Sequence, residues 1–230
     1  MRLFRILGPA VAAAALLAIV AAGSASAVTL CEENANPCPA GKEYKVGTTI
    51  EGELNPLFEA EIVIFDKAKE EKGELEKPFA TIKCTKGTFK GASTKNEGPE
   101  AALIGEITPG AFTGCSTCTN GGKPLKAPYK TELLWDPAVQ GDGLLNMTTG
   151  TGGGIPAWEF TGCPLGVGCT WGENNISKIR VMGGNPAQVR MTNAPLTFQA
   201  GNPWCQKKGK ITAWYNVTMP AKAVFVEAKP

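Results

Sequence analysis

The chain of 230 residues contains no histidine. That absence removes Ser-His-Asp and Cys-His triads, histidine-bearing zinc sites and imidazole acid–base catalysis. An excess of either charge is also missing. The 23 basic residues outnumber the 21 acidic ones by two, and Arg2 and Arg5, near the start, account for that difference. The remainder is formally neutral, which leaves no electrostatic case for nucleic acid or an anionic surface as partner. A long apolar run occurs once, in the first 27 residues, and nothing later approaches the roughly 20 residues that span a bilayer as a helix. Stable membrane insertion is therefore not expected. Helical periodicity is absent as well, since no convincing amphipathic segment of about ten residues follows that first stretch.

What is present begins with an export signal. Arg2 and Arg5 precede an apolar run from Val11 to Ala22, and Ala25-Ser26-Ala27 supplies a small-residue cleavage pattern. Residues 1–27 read as a secretory signal peptide, cut after Ala27. The bulky Leu30 before Cys31 argues against lipidation of that cysteine. Residues 28–230 then form a single secreted β-domain, long enough to bury a sizeable core.

All eight cysteines lie in that domain: Cys31, Cys38, Cys84, Cys115, Cys118, Cys163, Cys169 and Cys205. An even count in an exported chain implies up to four disulfides, although eight cysteines allow on the order of a hundred connectivities. Two pairs look local, Cys31 with Cys38 around Pro37, and Cys163 with Cys169 around Pro-Leu-Gly-Val-Gly. The other four are expected to pair across sheets, with partners open. Cys115-Ser116-Thr117-Cys118 has CxxC spacing, but neither a helix N-terminus nor a second ligand pair accompanies it, so structural disulfides are the reading.

Most of the chain alternates with period two. In the terminal stretch Ile211, Ala213, Tyr215 and Val217 alternate with Thr212, Trp214, Asn216 and Thr218, before Pro220 breaks the pattern. Such alternation, rich in β-branched and aromatic residues, predicts a two-faced strand in the middle of a sheet. Phe58 to Phe65, Tyr129 to Trp135 and Ala157 to Cys163 read the same way. The run from Asp66 to Lys77 carries five acids and four lysines and reads as a solvated hairpin tip. The glycine run from Gly150 to Gly154 lacks a GK[ST] ending and a following helix, so it is a loop and not a phosphate cradle. About a dozen short strands between glycine and proline turns predict an all-β fold, an antiparallel β-sandwich or partly closed β-barrel, stapled by disulfides.

Several short motifs recur together: Leu30-Cys31 with Pro37-Cys38, Thr81-Ile82-Lys83-Cys84-Thr85, and Phe112-Thr113-Gly114-Cys115. Later come Gly183-Gly184-Asn185-Pro186-Ala187 and Trp214-Tyr215-Asn216-Val217-Thr218. Over most of the mature chain this set resembles a group of small exported proteins present in many copies in some soil actinobacteria. The resemblance implies secretion, disulfides and an all-β fold. It carries no activity and no functional residues.

Two kinds of residue remain as candidates for a site. Glu51 with Glu53 and Glu59 with Glu61 each sit at i, i+2 on one strand face, about 7 Å apart, a separation of the order that glycosidases use. Alternation on a half-buried sheet produces such pairs automatically, so a solvated outer face explains them equally simply. The second kind is the tryptophans. Secreted β-domains bind sugars by stacking pyranose faces on exposed rings, and Trp158, and Trp171 with Glu173 and Asn174, stand beside turns where a site could form. Core packing is the competing account of each ring.

These features imply a non-enzymatic exported module with a binding or structural role in the cell envelope or outside it. A carbohydrate-binding version is the more specific form, with extracellular polysaccharide, cell wall or another exported protein as partner. The alternative is a carboxylate-dependent hydrolase acting on polysaccharide. No cofactor, metal site or catalytic residue is expected.

Overall fold

A computed structural model describes residues 27–65, 78–95, 102–164 and 167–228. The expected leader to residue 26 and the charged run 66–77 lie outside the described residues. The strands are β1 (Val28–Cys31), β2 (Thr49–Leu54), β3 (Ala60–Phe65), β4 (Pro78–Lys86), β5 (Thr88–Lys95), β6 (Leu103–Pro109), β7 (Thr113–Cys115) and β8 (Gly122–Pro124). They continue with β9 (Tyr129–Trp135), β10 (Gly143–Thr148), β11 (Ala157–Cys163), β12 (Val167–Gly172), β13 (Asn175–Met182), β14 (Gln188–Gly201), β15 (Lys208–Met219) and β16 (Phe225–Ala228). All pairings are antiparallel, and no helix occurs among the described residues.

The long hairpin β14–β15 organises the molecule. The halves of its strands nearest Gln188 and Met219 close an eight-stranded barrel in the order β15-β2-β5-β6-β9-β10-β13-β14. Their other halves belong to a second ring, in which β3, β4 and β7 follow β15 while β12, β11 and β8 follow β14. The free ends of that ring meet at the Phe112–Gly122 bridge, through reciprocal backbone hydrogen bonds of 2.8 and 3.0 Å. The register of β14 shifts between Met191 and Ala194, where Asn193 takes φ +49° and its amide donates to Thr212 Oγ1 at 3.0 Å. A bulge bends a strand and increases its twist, and here it separates the part of the hairpin in one ring from the part in the other.

Sequence alternation accounts for both interiors. In the first barrel Tyr215, Val217, Phe89 and Met191 face inward, with the Phe89 and Tyr215 rings edge to face at 5.4 Å. Gly52 is needed beside them, because a Cβ there would lie 2.3 Å from the Phe89 ring. In the second ring Ile62, Ile64, Ile82, Phe160, Trp171, Leu196 and Ile211 form the interior. Tyr129 pins the two together: its hydroxyl donates to Leu125 O at 2.6 Å, lies 3.1 Å from Ala157 O, and accepts from Ala157 N at 3.3 Å. One end of the first barrel is closed by the ribbon β1–β16, whose Val28 and Val226 pack on Leu103, Leu133 and Val181.

Four disulfides are present: Cys31–Cys38, Cys84–Cys115, Cys118–Cys163 and Cys169–Cys205. The expected Cys163–Cys169 pair does not form. On neighbouring strands Cys163 stands opposite Val167 and Cys169 opposite Phe160, so the two sulfurs are offset along the ladder and each reaches a loop of another hairpin. Covalent stapling at this density is typical of exported chains.

Candidate functional site

The second ring is not filled to its end. Between β3, β4 and β12 lies a cavity of about 440 Å³ with an almost wholly apolar lining. Its deep part is built by Ile64, Ile82, Cys118 and Trp171, all buried, and its rim by Phe79, Thr117, Pro164, Trp204 and Gln206. Phe79 and Trp204 are 60% and 74% exposed, so two large aromatic rings stand at the opening. The first barrel, by contrast, retains a void of only about 100 Å³.

Local sequence fixes the rim. Gly201-Asn202-Pro203 turns the chain at the tip of the β14–β15 hairpin, with Asn202 Oδ1 accepting from Trp204 N at 3.0 Å and Asn202 O accepting from Cys205 N at 2.9 Å. Gly201, at φ +130°, lies so near Gly168 that a Cβ would come within 2.4 Å of the Gly168 carbonyl oxygen. Cys205 is bonded to Cys169, and the Trp171 indole donates to Gln206 O at 2.9 Å. The Cys118–Cys163 bond ties the opposite rim. All four of these sulfurs line the cavity.

Of the four residues marked in the sequence, Trp171 alone reaches this place, as a wall only 4% exposed. Trp158 is 2% exposed, with its ring 6.1 Å from that of Phe112 in the core. Trp158 offers no free face for a sugar, and Trp171 opens only onto the cavity. Glu173 and Asn174 lie in the turn after β12, where the Glu173 carboxylate accepts from Asn174 N at 2.9 Å, and neither lines the cavity. Trp214 points outward, with the Arg190 guanidinium 4.4 Å and the Phe58 ring 4.0 Å from its ring, and it borders the outer hollow that holds Glu59 and Glu61. Trp204, beside the Cys169–Cys205 disulfide, is the most exposed tryptophan.

The carboxylate pairs lie on outer faces. Glu59 and Glu61 border a polar hollow beside Lys83, whose ammonium is 3.7 Å from Glu59. Glu51 and Glu53 border another, where Lys90 pairs with Glu51 at 2.9 Å. These are solvated strand faces holding exposed ion pairs. Glu227 is the carboxyl group that burial pushes up, and it lies in the β1–β16 ribbon, away from both hollows. Burial likewise raises Tyr215 and Tyr129. Cys115 and Cys118 bond to different partners, so the CxxC spacing holds no redox pair. Among the described residues no group of three or more metal-ligating side chains converges, and no helix is long and apolar enough to cross a membrane.

A void at the end of a β-ring, apolar inside and rimmed by aromatics, is suited to enclosing an apolar molecule. Comparison with family models, curated proteins and solved structures gives no match.

Proposed function

We propose that this chain is an exported, non-enzymatic binding module that holds a small apolar molecule in the cavity of its second ring. The observation that carries the reading is the cavity itself, about 440 Å³ in volume with an apolar lining. An apolar cavity of roughly 150 Å³ already takes up benzene, and ligand sites occupy about 300–1,000 Å³. Removing apolar ligand surface from water supplies the driving force, at about 25 cal/mol per Å² before the costs of association. Export is supported by the Arg2–Ala27 leader pattern, by four disulfides and by the resemblance to exported actinobacterial chains. Polysaccharide is the weaker ligand, because the rings marked for stacking are buried.

The test is a titration of oxidised residues 28–230 with N-phenyl-1-naphthylamine, an uncharged fluorophore that brightens on leaving water. Saturable binding at one site is expected. Ile82→Trp, which fills the deep part, and Trp204→Ala, which removes the rim, should each weaken it while circular dichroism stays parental. Absence of saturable binding, or binding indifferent to both variants, overturns the reading. Pull-down on insoluble polysaccharide is the parallel arm, and retention there with no fluorophore binding would replace an apolar ligand by a sugar.

A further inference from the structure

Two kinds of surface line the cavity. Ile64 on β3 and Ile82 on β4 supply aliphatic carbon, and β12 supplies sulfur and an indole. Cys169 and Trp171 stand two residues apart on β12, and both are buried. The Trp171 indole donates to Gln206 O at 2.9 Å, one residue beyond Cys205, so the Cys169–Cys205 bond and the indole make one wall. Cys118–Cys163 adds a second sulfur bridge, and the Phe79 and Trp204 rings stand at the opening. A ligand inside therefore meets aromatic rings and disulfide sulfur as well as hydrocarbon.

Building on the apolar-ligand reading above, we propose that the ligand is a planar aromatic molecule, its ring between the two disulfides and against Trp171, its outer edge at Phe79 and Trp204. Burial alone would not distinguish it from a saturated molecule of the same size, because the hydrophobic effect is non-directional and follows area. These walls add interactions that only a ring can make. Aromatic pairs in offset-stacked or edge-to-face arrangement gain beyond the area they bury. Polarisable sulfur packs favourably at the edge of a ring, about 5 Å from it.

Competition against bound N-phenyl-1-naphthylamine tests this with naphthalene and trans-decalin, an aromatic and a saturated molecule on the same two-ring carbon skeleton. Free concentrations are read by headspace gas chromatography. Each affinity is divided by that compound's partition from water into cyclohexane, a solvent without aromatic rings or sulfur. So corrected, naphthalene should bind at least about tenfold tighter than decalin, a discrimination equivalent to about 1.4 kcal/mol. Phe79→Leu combined with Trp204→Leu keeps apolar bulk at the exposed rim, and should lower that ratio several-fold while leaving decalin nearly unchanged. A smaller corrected ratio in the parent overturns the aromatic class. A high ratio unmoved by the double substitution overturns the placement of the ring's edge at the rim. Both failures leave the apolar-ligand reading standing, whereas a fluorophore that does not bind removes both.

Discussion

The two rings share β14 and β15 yet are held together differently. The first is closed by continuous ladders, carries no disulfide between its own strands, and encloses a void of about 100 Å³. The second closes through the single Phe112–Gly122 bridge, holds three of the four disulfides, and retains about 440 Å³ of empty space. A filled interior stabilises itself by burial and close packing. A void forgoes those contacts, so the loops around it need another constraint, and here Cys118–Cys163 and Cys169–Cys205 provide it. The contrast assigns different parts to the two rings: the first is a packed frame, and the second, which leaves space open, is where the proposed ligand would sit.

The sharpest way to break this contrast is to exchange what each ring depends on. Phe89→Ala, in the packed interior of the first barrel, should cost about 3–5 kcal/mol in urea unfolding, as loss of a buried aromatic does. A cost below about 1 kcal/mol would show that this ring does not depend on its packing. Next, the double substitution Cys118→Ala with Cys163→Ala should cost about 2–4 kcal/mol and abolish fluorophore binding. The same treatment of Cys31 and Cys38, seven apart in sequence, closes a shorter loop, and should cost less and spare binding. Equal effects of the two pairs on binding would deny the special place of the rim staples.

Glu227 sharpens the comparison from outside both rings. It is fully buried in the β1–β16 ribbon, with both carboxylate oxygens lacking a hydrogen-bond partner, and burial holds its carboxyl above the ordinary range. The folded state then binds the proton more tightly than the unfolded state, so stability rises as pH falls from neutral through the raised pKa toward the ordinary one. Glu227→Gln should remove that dependence and raise stability at neutral pH, because an unpartnered buried amide costs less than an unpartnered buried carboxylate. Urea midpoints of both proteins at two pH values decide it, and parallel lines would contradict the assignment. The smallest stability change is expected for Trp204→Ala, within about 0.5 kcal/mol because the ring is exposed, although it weakens fluorophore binding.

Much of the frame was legible in the chain. Alternation over Tyr129–Trp135 and Ala157–Cys163 matched β9 and β11 residue for residue, and the terminal stretch put Tyr215 and Trp214 on opposite faces, of which the Tyr215 face is the inner one. What alternation could not disclose was that the segments on either side of Asn193 form one strand, Gln188–Gly201, bent at that residue. Without that bulge the second ring is invisible. Local pattern likewise could not disclose β1, whose partner Phe225–Ala228 lies at the far end of the chain. The cavity was less legible than either. Its walls come from four separate hairpins, its rim ring Trp204 stands in a turn without periodicity, and Thr117 lies inside a CxxC whose cysteines bond elsewhere.

The account stands or falls on what occupies the second ring. A crystal structure of oxidised residues 28–230 grown with N-phenyl-1-naphthylamine tests that directly. The account predicts a single molecule between Ile82 and Trp204 and an unliganded first barrel. Ordered water filling the cavity with no bound fluorophore, or the fluorophore seated in the first barrel, would contradict it.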